Sequence, residues 1–425
     1  MTASTIATAL SPPRSRAPRK SDVKRVRTVL FYAQDHKGLG HISRTLTIAR
    51  HILPGHRDLI AYIATESAIA SHFTIPARCD YIKLPGRFVP EMLQLTAEEE
   101  EAMRQRFSAI RGNMLREAAL GLAPDLVVVD HEPLGKFGEF REGLYALKEE
   151  CPDTRFVFGL RDIMDDPAAT RDLWRELGVY DALEHLYDGV AVYGWPELYD
   201  VASAYDIPPS VQPKLHYCGY VVREPPSASG DPRLLRERYD VPQGARLVLA
   251  TVGSGSDGYP VLEAAQAAVE RLREQFPDVF ALLVTGPFMP ADQRATLEQR
   301  ATAMCRVVPQ ADNFQLMAAA DAIVSMGGYN SVAEALVTAR PLVIVPRATE
   351  KVEQLIRAET LAARGLARWV HPGELSGAGL VQALAWALSC DPEAHARRVC
   401  ETLPAFDGAA RLTAYLSRWL GEVGD

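Results

Sequence analysis

Short runs of consecutive apolar residues recur along the chain, separated by longer stretches whose apolar positions return every three or four residues. The first half carries Val26 to Ala33, Asp58 to Ala64, Tyr81 to Leu84, Leu126 to Asp130, Phe156 to Leu160 and Gly189 to Tyr193. Unbroken apolar runs predict strands buried on both faces, the pattern of a parallel sheet covered by helices. The rhythm stops at Glu224–Pro232, EPPSASGDP, which has the composition of a linker. It restarts with Arg246 to Thr251 and continues through Phe280 to Thr285, Arg306 to Val308, Ala322 to Ser325 and Leu342 to Val345. Strands alternating with helical segments read as βαβ units. The predicted fold is therefore α/β, with two Rossmann-like, doubly wound parallel-sheet domains facing a cleft.

Length agrees with two domains, because 425 residues exceed one ordinary core. The divisions are a tail over 1–24, a first domain over 25–222, a linker over 223–243 and a second domain over 244–403. Residues 404–425 form a last helix that could cross back to the first domain. The tail is rich in Ser, Pro, Ala and basic residues and reads as disordered; its functional reading is weak attraction to an anionic membrane, as a peripheral contact, or to an anionic substrate.

Composition narrows the partners. With 48% hydrophobic and 24% charged residues the profile is that of a globular protein, and a net charge of −8 argues against a nucleic-acid face. Six scattered cysteines show no metal-ligand spacing and suit a reducing cytoplasm. No apolar run is long enough to span a membrane.

Four loops at strand ends carry candidate chemistry. The first holds Gly38, Gly40 and His41; a histidine at a helix N-terminus has a lowered pKa and can accept a proton when neutral. Here the alternative is a histidine that only caps or packs. The second, Gly253-Ser254-Gly255-Ser256-Asp257-Gly258, is formally G-x-G-x-x-G, but the next strand ends in Thr-Gly-Pro and lacks the acid of a dinucleotide site. Backbone N–H groups and serine hydroxyls there could meet a diphosphate. The third is Asp321 to Gln354, where Gly327 and Gly328 break a strand before a helix opening at Asn330 and Ser331, an anion cradle in outline. Glu334 follows, as a ribose ligand or as the far end of a Ser331–Glu334 capping box. The fourth comprises Glu350, Glu353 and Gln354, placed for sugar hydroxyls or for a solvated first turn. Asp130, Arg161 and Asp162, at strand ends of the first half, are acceptor-side candidates.

Together GLGHISR, the glycine-serine loop and MGGYNSVAEAL…PLVIVP…EQLIRAETLAARG resemble the GT-B glycosyltransferases. The branch they are most similar to is the predicted glycosyltransferases related to the peptidoglycan N-acetylglucosaminyltransferase, with the glycosyltransferase family 28 C-terminal domain. That resemblance implies an inverting, metal-independent hexosyltransferase without a cofactor, moving sugar from a nucleoside-diphosphate donor, UDP-linked by analogy, to an acceptor hydroxyl. Gly253, Ser254, Gly255, Ser256, Gly327, Gly328, Asn330 and Ser331 would hold the diphosphate and Glu334 the ribose. Gln354 and Glu350 would touch the donor sugar, and His41 would stand near the acceptor as base or positioning group. The acceptor is left open as a metabolite, lipid or polysaccharide. A nucleotide-sugar epimerase and a non-catalytic nucleotide-sugar-binding protein are the alternatives.

Overall fold

The computed structural model describes residues 26–34, 40–67, 70, 73–86, 95–224, 231–348, 351–375 and 378–421. The basic tail, Gly38 and Glu350 lie outside the described residues.

Seven strands form the first sheet: β1 (Arg27–Ala33), β2 (Leu59–Thr65), β3 (Cys79–Lys83), β4 (Leu126–Asp130), β5 (Arg155–Arg161), β6 (Gly189–Tyr193) and β7 (Leu215–Tyr217). Their spatial order is β3-β2-β1-β4-β5-β6-β7, and every pairing is parallel. The second sheet contains β8 (Arg246–Thr251), β9 (Val279–Val284), β10 (Cys305–Val308), β11 (Ala322–Ser325), β12 (Leu342–Ile344) and β13 (Ala367–Trp369). It too is parallel, in the order β10-β9-β8-β11-β12-β13. The central strands are buried along their length, as in LVVVD of β4. β7 and β13 have only three residues each, half-buried in β7 and mixed in β13 with Arg368 exposed, so neither shows as an apolar run.

Both sheets reverse direction once, between β1 and β4 and between β8 and β11. Ligands in open parallel sheets sit beyond the strand C-termini at such reversals. The loops that end β1, β8 and β11 are the glycine loops singled out from sequence, and β4 ends in Asp130. Fold geometry therefore gathers them at two points.

The helices that matter for these points are α1 (Gly40–Gly55), α2 (Ala97–Leu122), α3 (Pro232–Arg238), α4 (Tyr259–Leu272), α5 (Asn313–Ala319), α6 (Tyr329–Thr338), α7 (Glu353–Ala363) and α8 (Gly408–Leu420). Thr96 and Glu99 form a complete capping box on α2. The 223–243 stretch is not all linker, because α3 lies within it. Asp231 accepts a hydrogen bond from the Arg233 N–H at 2.9 Å and Pro232 takes the first helical position, where no N–H is needed. α8 packs on the first domain: Arg27 Nη1 donates to the Leu420 carbonyl at 2.5 Å, and His56 Nε2 lies 2.8 Å from Ser417 Oγ. One apolar cluster includes Trp195, Tyr220, Tyr329 and Phe314, so the core continues from one domain into the other.

Candidate active site

At the first reversal, α1 starts with Gly40 and brings His41 beside the end of β4. His41 Nδ1 lies 2.5 Å from Asp130 Oδ2. Arg44 Nη2 lies 3.0 Å from the same nitrogen, but the carboxylate is closer and can only accept, so the proton is assigned to Nδ1 and the ring lone pair to Nε2. Arg44, one turn along α1, grips the same carboxylate: Nη2 donates to both oxygens at 3.0 and 2.7 Å and Nε to Oδ1 at 3.1 Å. Burial would raise the Asp130 pKa, but Arg44 and His41 overcome it and hold the group at about 2. Burial lowers His41 to about 4, against the pull of Asp130. At neutral pH the pair is thus a neutral imidazole held by an ionised carboxylate. The His131 ring stacks on His41 with centroids 4.9 Å apart. Arg44 itself lies between the rings of Tyr193 and Tyr329, at 5.2 and 5.0 Å.

At the second reversal, Gly253 (φ +63°) and Gly255 (φ +91°) turn the chain into α4. A Cβ on Gly255 would stand 2.0 Å from the Thr285 carbonyl oxygen, so the loop has no space for a side chain there. Asp257 pairs with the Arg347 guanidinium, and the Arg347 N–H donates to Gln354 Oε1 at 2.9 Å. These bonds tie the glycine-serine loop to the segment opening α7. Gly327 (φ +84°) and the cap residue Gly328 then lead into α6. A cavity of about 670 Å³ opens beside this point, lined among others by Gly253, Gly286, Pro309, Asp312 and Asn313.

The two points meet. Asn330 Nδ2, on the first turn of α6, donates to the Gly40 carbonyl at 3.1 Å. The cradle and the His41 helix are in direct contact across the domain boundary.

Glu334 is not part of a capping box. The helix cap is Gly328, no side chain caps it, and Ser331 is already the third helical residue. The S-x-x-E pattern lies one turn too far along. Glu334 instead accepts from Arg223 Nε at 2.7 Å. Burial raises its pKa, with Arg223 opposing. Asp162 is tied to the second domain: both oxygens are bonded to Arg357 at 2.8 and 2.9 Å, and Tyr220 donates to Oδ2 at 3.1 Å. Arg161, at the end of β5, has its Nη2 on the Met164 carbonyl at 3.3 Å and its Nε buried without a hydrogen-bond partner. Glu353, from the opposite wall, has an equally unpartnered, buried Oε2.

Arg44, Arg223 and Arg357 carry much of this arrangement and were not assigned from sequence. Arg44 and Arg357 did leave a signal, a charge on the apolar face of a helix; both are buried, at 2% and 1% exposure. Arg223 left none, standing beside a stretch with linker composition.

Comparison with known proteins bears on the fold and on the second domain. A glycosyltransferase solved for kitacinnamycin superposes with a TM-score of 0.67 at 17% identity, over 93% of this chain and 100% of its own. The chain has the GT-B fold. A UGT transferase from Siraitia grosvenorii, solved in complex with UDP, gives a TM-score of 0.60 at 14% identity over 93% of this chain and 100% of its own. Within this GT-B chain, residues 248–407 match the glycosyltransferase family 28 C-terminal domain. An uncharacterized glycosyltransferase from Methanopyrus kandleri is 24% identical over 194 residues, 45% of this chain. The match spans 52%, about half, of that relative's length. Among the described residues of the GT-B chain, no helix is long and apolar enough to cross a membrane.

Proposed function

We propose that the chain is an inverting glycosyltransferase that transfers a sugar from a nucleoside-diphosphate donor, UDP-linked, to an acceptor hydroxyl without a metal. The observation that carries this is the contact between the two reversals: a neutral His41 on Asp130, joined through Gly40 and Asn330 to the Gly327–Gly328 cradle.

In that arrangement the His41 Nε2 lone pair takes the proton of the acceptor hydroxyl as its oxygen attacks the anomeric carbon. Asp130 fixes the tautomer and stabilises the imidazolium that forms. The leaving diphosphate departs toward the backbone N–H groups and helix dipole at the start of α6, which supply positive potential where charge develops. The 670 Å³ cavity over Gly253 and Asn313 is of the size that takes a nucleoside. UDP is favoured because a GT-B neighbour is solved with it. Glu334 accepts from ribose hydroxyls, Gln354 and Glu353 face the donor sugar, and Arg161 lies on the acceptor side.

A thermal-shift panel of nucleoside diphosphates and their sugars tests donor binding, because a specific ligand raises the midpoint with its affinity. UDP or a UDP-sugar is expected to stabilise the protein most. Transfer should then persist in EDTA. Transfer abolished by EDTA and restored by Mg²⁺ would exclude the metal-free mechanism. Isomerised donor sugar formed without any acceptor would replace transfer by epimerisation.

A further inference from the structure

The guanidinium of Arg223 stands outside the mechanism just described, yet it joins Asp312, on the cavity wall, to Glu334 on α6. Its Nε donates to Glu334 Oε1 at 2.7 Å and its Nη2 to Asp312 Oδ1 at 2.5 Å. It lies over the Phe314 ring at 5.1 Å. Asp312 caps α5 through the Gln315 N–H and lines the 670 Å³ cavity, while Glu334 projects from α6. The backbone on which Arg223 rides is itself held, since the Val221 N–H donates to Tyr329 Oη at 2.9 Å.

We propose that Arg223 is the positioning residue that makes the donor site select ribonucleotides over 2′-deoxyribonucleotides. The inference rests on the nucleotide-sugar reading above. A ribose diol offers two O–H donors, and recognising both requires a carboxylate that is ionised and fixed in rotation. Arg223 acts toward both on Glu334. Its charge opposes the rise in pKa that burial causes. Its fork, anchored on Asp312, fixes Oε1, and among the described residues no donor reaches Oε2. Arginine suits the task because its planar fork can bind two carboxylates at once, which a lysine ammonium does with far less directionality.

Calorimetric titration of the full chain with UDP and with 2′-deoxyuridine diphosphate tests this. Loss of one hydrogen bond to a charged group corresponds to about tenfold in affinity, so the wild type should prefer UDP by about that factor. In Arg223→Ala the UDP affinity should fall about tenfold while the deoxynucleotide changes little, bringing the ratio to about twofold or less. Arg223→Lys should lie between. Asp312→Asn, which keeps the Arg223–Glu334 bond, should lose part of the preference and guards against a misfolded alanine variant. An Arg223→Ala protein that folds and keeps the wild-type ratio overturns the inference. So does one that binds UDP more tightly, which would make Arg223 a competitor of the ribose. Wild type that binds neither nucleotide overturns the donor reading itself, and this inference with it.

Discussion

His41 is the residue whose state decides the chemistry. Burial holds its pKa at about 4, so the ring is neutral, and able to accept a proton, at every pH above that value. As pH falls through about 4 the ring protonates and activity should be lost, whereas an ordinary histidine would lose it near 6.5. A kcat/KM profile in the presence of saturating acceptor checks this: the acidic limb should lie near pH 4, and a limb at 6 to 7 would show that His41 is not the base. Asp130→Asn keeps the shape but replaces an acceptor-only carboxylate with an amide that can present N–H to Nδ1. The expected result is a fall in kcat of about 100-fold or more, as for loss of a positioned general base, with the donor KM little changed.

At the scale of elements, the loops at the two reversals were legible from sequence because glycine is conspicuous where an apolar run stops. The physical need is visible in the structure. Gly255 combines φ +91° with a carbonyl oxygen 2.0 Å from the site of any Cβ, whereas Gly253 has φ +63° and nothing within 4 Å. Gly253→Ala should therefore cost about 1 kcal/mol, the price of a left-handed alanine. Gly255→Ala should cost about 1–3 kcal/mol more, since the loop must also move. Urea denaturation with unchanged m-value measures both, and equal losses would contradict the close-packed loop. The sequence misled where one pattern fits two structures. Ser331 and Glu334 have capping-box spacing, and only the backbone shows that α6 begins at Tyr329, so the pattern falls inside the helix. The bond of Asp162 to Arg357 was illegible for a different reason: the partner lies 195 positions away, beyond any local signal.

For the whole molecule, the Arg357–Asp162 pair is the main buried electrostatic tie between the domains, with Arg357 also donating to the Gly327 carbonyl at 2.8 Å. Both side chains are nearly sealed, at 1% and 5% exposure. Removing one partner strands the other's charge, so Arg357→Ala should cost about 3–5 kcal/mol. Calorimetry should show the single unfolding transition of the wild type separating into two. Replacing both partners together, as Arg357→Met with Asp162→Leu, should recover much of that loss. A fully additive double variant would mean the pair does not couple the domains.

The polypeptide passes between the domains twice, once through Gly219–Arg223 and once on the way to α8. The two passages touch: a Cβ on Gly408 would come within 2.3 Å of the Tyr220 carbonyl oxygen. The passages lie in one packed seam, which continues through the Tyr220–Tyr329 ring contact, Asn330 on Gly40 and Arg357 on Asp162. A side chain placed at position 408 would have to displace the Tyr220 backbone, and with it the seam on which Tyr329 sits.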